Sequence, residues 1–132
     1  MFPNKARIIS LLEASIKEME LLQQMSVGIK SPEDFITSIS GLTVYRACGM
    51  SLQYITENFI KIRNIQGRDF FAPYKDIPWE DVFGMRNFLS HEYGDSDPEG
   101  IFNTVKEDIP ALQETASKML SDFSATGGPA DR

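Results

Sequence analysis

Apolar side chains return at three- and four-residue intervals along nearly the whole chain, and no segment offers a strong two-residue alternation. A helix gathers such positions on one face, whereas a half-buried strand needs period two, so this pattern restricts the chain to packed helices. Ile8, Leu12, Ile16, Met19 and Leu22 form one stripe, with Glu13 and Lys17 paired four residues apart on another face. Tyr45, Cys48, Leu52, Ile55, Phe59 and Ile62 form a second, and Phe102, Val105, Ile109, Leu112, Ala116, Met119 and Phe123 a third. The predicted fold is an all-α, antiparallel up-and-down bundle of four to five helices.

Local signals punctuate the stripes. Ser31-Pro32-Glu33-Asp34 reads as a helix start, with a Ser cap, Pro at the first helical position and acids at the positive end of the dipole. Gly41 is expected to separate a short helix from the long one that follows. Residues 67–76 read as a loop, and Pro78 opens a helix to about Ser90 with Asp76 as a candidate cap. Asp95-Ser96-Asp97-Pro98-Glu99 is another capped start, and Pro110 is expected to kink or divide the last helix. Residues 1–123 are predicted to form one domain and residues 124–132 a flexible tail.

Composition narrows the chemistry. A chain of 132 residues suits a single domain. One Cys and one His exclude an internal disulfide and Cys/His zinc sites, and no metal or cofactor motif is present. The lone imidazole permits a Ser-His-Asp hydrolase in principle but not a one-chain site with two imidazoles. No apolar run approaches the ~20 residues that span a bilayer, and the N-terminal segment lacks a signal-peptide core, so a cytoplasmic protein is expected. The net charge of -6 argues against indiscriminate nucleic-acid binding. It is uneven: residues 1–66 carry 7 basic and 6 acidic groups, residues 67–132 carry 6 and 13. The acidic half is a solvated surface or, alternatively, a docking face.

The informative segment runs from Trp79 to Tyr93. Trp79, Val82, Leu89 and Tyr93 keep the helical spacing only if Arg86 takes the place between Val82 and Leu89, which puts a guanidinium in the middle of an apolar face. It either snorkels at the margin of the core, pairs with a structural carboxylate such as Glu57, or meets an anion, most naturally a phosphate. His91 follows five residues later, about 140° around an ideal helix. The two converge only if the helix ends between them or if a second chain completes the site. Asn87 could orient the imidazole, and Tyr93 returns to the Arg86 face. Gly84 suggests close packing against another element. Cys48 reads as an inert core thiol, and Phe70 to Tyr74 as a packed loop in preference to a base-stacking platform.

Ile77-Pro78-Trp79, Gly84-Met85-Arg86-Asn87, Leu89, His91, Tyr93, Val105-Lys106 and Asp108-Ile109-Pro110-Ala111-Leu112 together resemble the C-terminal half of HepT-type proteins of the HEPN superfamily. The resemblance spans about residues 5–123 and is strongest over 77–112. Ile55-x-Glu57 is family-like too, whereas Met50 and Gln53 stand where a basic residue and a Glu are expected. The resemblance implies a homodimeric, metal-independent ribonuclease toxin paired with a MntA-like nucleotidyltransferase antitoxin. It implies Arg86, Asn87 and His91 as catalytic residues acting on RNA, and Tyr93 as the acceptor of AMP from the antitoxin. One chain supplies one imidazole; a two-fold dimer supplies the base and the acid that RNA cleavage needs. The alternative is a non-catalytic HEPN adaptor that binds a nucleotidyltransferase or its nucleotide.

Overall fold

A computed structural model describes residues 3–91 and 97–126 of the protein (for residues 3, 88–91 and 126 the backbone alone). Among these residues the chain is helical throughout, without a β-strand: α1 (Pro3–Met25), α2 (Ile39–Gln66), α3 (Trp79–His91), α4 (Pro98–Asn103) and α5 (Ile109–Thr126). Single 3-10 turns at Pro32–Phe35 and Arg68–Phe71 lie in the first two connections. The predicted tail begins within α5, and residues 127–132 lie outside the described residues.

α2 is the spine, packing against α1 and α3, while α1 also packs against α5. Cross-links give the directions. Ser51 donates to Glu18 at 2.6 Å and Asn58 to Ser15 at 3.1 Å, so α1 and α2 run antiparallel. Gln23 bonds Gln113, and Lys106 Nζ donates to the Ser26 carbonyl at 2.7 Å, which sets the start of α5 against the end of α1. That lysine satisfies a carbonyl just beyond α1, at its negative dipole end.

The α2 stripe is buried at every predicted position. On α1 the stripe holds except at Ile16, which is half-buried, while neighbouring Ser15 is fully buried. Its hydroxyl donates to the Leu11 carbonyl and accepts from Asn58, so the buried polar atoms are paired.

Two sequence expectations are corrected by the backbone, and the division expected at Pro110 takes the form of a π turn. Gly41 does not divide two helices. The chain breaks over residues 36–38, Ser38 caps α2 by accepting from the Gly41 N–H at 2.9 Å, and Gly41 sits in the first helical turn. It is required there because a Cβ would overlap the Asp34 carbonyl oxygen. The Ser31 start produces a single 3-10 turn, with the Asp34 carboxylate accepting from the Lys30 and Ser31 N–H groups. Pro110, lacking an N–H, is accommodated by a π-helical turn at Thr104–Asp108 just before it, where the Ile109 N–H reaches back to the Thr104 carbonyl. The wider turn rotates the preceding residues, so Ile101 is buried in place of the predicted Phe102.

The connection before α3 is packed. Phe70 and Phe71 are buried, with the Phe71 ring 4.6 Å from Trp79 and 5.3 Å from Phe83. Trp79 Nε1 donates to the Tyr74 carbonyl at 2.9 Å. The Ile-Pro-Trp element thus fixes where α3 begins. Asp97 caps α4, accepting from the Gly100 N–H at 2.9 Å. No described helix is long and apolar enough to cross a membrane.

Candidate functional site

α3 buries Val82 and Phe83 against the bundle and half-buries Trp79 and Met85. Arg86 is therefore at the margin of the apolar face and not in its middle, because Phe83, not Arg86, supplies the next buried position after Val82. Its side chain is 52% exposed, and Nε lies 2.8 Å from Glu57 Oε2 on α2, itself 30% exposed. Glu57 engages the guanidinium at Nε. Among the described residues no other ion pair engages it, so its terminal amino groups remain available for a planar anion such as phosphate.

α3 continues without interruption through His91. The helix therefore does not end between Arg86 and His91, and on one straight helix the two stay about 140° apart. Asn87 is exposed beside Arg86. The His91 side chain and all of Tyr93 lie outside the described residues, as does the Leu89 side chain. Gly84 is exposed, and nothing described lies within 4 Å of where its Cβ would sit, so the close packing expected at that position is not found within the chain.

The Glu57 face of α2 carries several exposed side chains. On α2, Ile39 (84% exposed), Met50 (76% exposed) and Glu57 fall within about 20° of one another around the helix, with Tyr54 and Leu42 flanking them. Exposed Arg46 lies between Ile39 and Met50 on the same face, so the surface there is mixed and not continuously apolar. Met50, which departs from the family pattern, lies on this face. Arg63 lies over the Phe83 ring at 4.7 Å, and Arg68 forms an ion pair with Glu80, so both nearby cations already have structural work.

Cys48 is fully buried, and burial pushes its thiol up to about 11, which leaves it protonated and unreactive near neutrality. No group of His, Cys, Asp and Glu among the described residues could hold a metal ion. In the sequence Glu57 stands only as a structural partner of Arg86. The sequence does not show that one pairing leaves the guanidinium half exposed.

The family model described as "Ribonuclease HepT-like" matches residues 15–119. A protein of Caldanaerobacter subterraneus subsp. tengcongensis named as an RNase is 31% identical over 109 residues, covering 83% of this chain and 90% of that protein. A probable ribonuclease HepT of Thermococcus cleftensis is 31% identical over 108 residues, covering 82% and 91%. A protein of Methanocaldococcus jannaschii, also named as an RNase, is 26% identical over 110 residues, covering 83% and 90%. No solved structure matches the chain.

Proposed function

The chain belongs to the HepT-like ribonuclease family, and from that premise we propose that it is a metal-independent endoribonuclease acting as a homodimer. The observation that carries this reading is the half-exposed Arg86 guanidinium, anchored at Nε by Glu57 and open along its remaining edge. Anchoring removes side-chain freedom before RNA arrives, and the free donors suit the equatorial oxygens of a phosphorane.

Cleavage needs a base for the 2′-hydroxyl and an acid for the departing 5′-oxygen, and the sequence holds one histidine. The unbroken α3 supports a second copy as the source of the other imidazole. Exposed Ile39 and Met50, on the Glu57 face of α2, favour the same arrangement. In the proposed step, His91 takes the 2′-hydroxyl proton and the 2′-oxygen attacks phosphorus. The bond to the 5′-oxygen breaks, and the partner subunit's His91 supplies its proton. The products are a 2′,3′-cyclic phosphate and a 5′-hydroxyl. Arg86 holds the phosphate and Asn87 orients the reacting groups. A pKa near 6.5 suits imidazole to both roles.

The resemblance extends the reading to a toxin whose partner is a MntA-like nucleotidyltransferase antitoxin, with Tyr93 as the AMP acceptor. AMP on Tyr93, two residues beyond His91, would add bulk and negative charge where RNA must enter. Purified protein incubated with RNA in EDTA, with end-group analysis, tests the nuclease. Products bearing cyclic phosphate are expected, and intact RNA, or cleavage that appears only with added divalent metal, overturns the proposal. Co-expression with the nucleotidyltransferase tests the modification: an AMP mass is expected on the wild type and not on Tyr93→Phe.

A further inference from the structure

A cavity of about 180 Å³ opens between α2, α3 and the start of α5. It is bounded by the two motifs that the nuclease reading leaves without a chemical role, the Asp-Ile-Pro segment ahead of α3 and the Asp-Ile-Pro segment at the start of α5. Its walls are apolar, with Ile55 and Ile109 among them. A dry apolar cavity of ~150 Å³ is known to hold a benzene-sized molecule, so this volume is adequate for a small organic ligand.

Two observations give the ligand its chemistry. Asp76, Asp81 and Asp108 line the mouth, and none has an ion-pair partner among the described residues. Thr56 lines the cavity from α2, is only 2% exposed, and its hydroxyl has no hydrogen-bond partner among the described residues. Its hydroxyl is accessible at the cavity wall and can bond a polar group bound there. The carboxylates are not gathered closely enough to ligate one metal ion. Asp108 is already held above the usual carboxylate range, by burial first and then by the neighbouring Glu107 and Asp81 charges. A cation at the mouth would offset that repulsion.

We propose that this cavity is a binding site for a small amphipathic organic cation, an ammonium head at the aspartates with an apolar body between Ile55 and Ile109 and a polar contact to Thr56. The π-helical turn builds the site by opening the helix at Thr104–Asp108, which sets Thr104 and Asp108 on its wall. The inference does not depend on ribonuclease activity.

Benzylammonium is the probe, with benzyl alcohol as its uncharged counterpart, titrated into the full-length protein carrying 13C-labelled isoleucine methyl groups. Saturable shifts at Ile55 and Ile109 are expected with benzylammonium, and about tenfold weaker binding with benzyl alcohol. The Asp81→Asn/Asp108→Asn double variant should lose about tenfold in benzylammonium affinity and keep its affinity for benzyl alcohol. Thr56→Val, which keeps the shape and removes the hydroxyl, should weaken binding by a few-fold. Absence of shifts at Ile55 and Ile109 overturns the proposal. Equal binding of the two probes overturns its cationic class, as does displacement of benzylammonium by Mg²⁺ at matched ionic strength. A melting scan of each variant separates lost binding from lost folding.

Discussion

Glu57→Gln is the substitution that separates holding the arginine from holding the fold. In the structure Glu57 Oε2 meets Arg86 Nε at 2.8 Å, with the arginine side chain 52% and the glutamate 30% exposed. A pair this accessible contributes only about 0.2–1 kcal/mol to stability, after solvent screening and side-chain entropy are set against the attraction. The variant should therefore fold, with its melting temperature lowered by no more than about 5 °C. The effect on RNA cleavage should be larger. Removing a donor that contacts the transition state directly typically costs ~10²–10³ in kcat, which is the expectation for Arg86→Ala. Glu57 acts through Arg86, so about tenfold is expected, appearing in kcat while KM changes little. Glu57→Asp, which keeps the charge on a shorter arm, should recover part of the loss. The assay is single-turnover cleavage of a labelled RNA in EDTA, with a melting scan of the same sample. Wild-type kcat in Glu57→Gln would refute the positioning argument. Faster cleavage would refute it also, since the pair would then be withholding Arg86 from the phosphate.

Three further outcomes follow from the packing. Gly41→Ala should destabilise by about 1–3 kcal/mol in thermal melts, because a Cβ overlaps the Asp34 carbonyl oxygen, whereas Gly84→Ala, in open space, should stabilise by up to about 1 kcal/mol; like-signed shifts would contradict this. Cys48 should resist a thiol reagent at pH 8 until the protein unfolds, since burial raises its thiol to about 11, and rapid labelling of native protein would contradict that placement. Asp108 titrates above its usual range when folded, so its charge disfavours the folded state at neutral pH, and that penalty fades as pH falls through the raised pKa. Asp108→Asn should accordingly raise the melting temperature at pH 7, with the gain shrinking towards pH 4; a gain that grows on acidification would contradict the assigned cause.

How much of this was legible in the sequence depends on whether the information was periodic or spatial. The α2 stripe from Tyr45 to Ile62 could be read at every position because side-chain spacing alone decides which face is buried. The exchange of Phe102 for Ile101 could not, since it follows from a π turn that Pro110 permits and no spacing announces. Gly41 looked like a breaker because its reason, the Asp34 backbone, is supplied by tertiary approach. Counting along α3 placed Arg86 mid-face because a stripe about 100° wide has two edges, and the sequence does not say that Phe83 defines one of them. The pairing of Arg86 with Glu57 was one option among many carboxylates, and only packing of α3 on α2 selects it. The motif residues Arg86, Asn87, His91 and Tyr93 were the readable part of the candidate site. The half-exposed guanidinium held by Glu57 was not.

Cleavage of RNA in EDTA by the wild type and by His91→Ala, compared at equal concentration and confirmed folding, tests the central claim most directly. The wild type should give 2′,3′-cyclic phosphate products, and His91→Ala should lose about 10² or more. Undiminished cleavage by His91→Ala would contradict that claim.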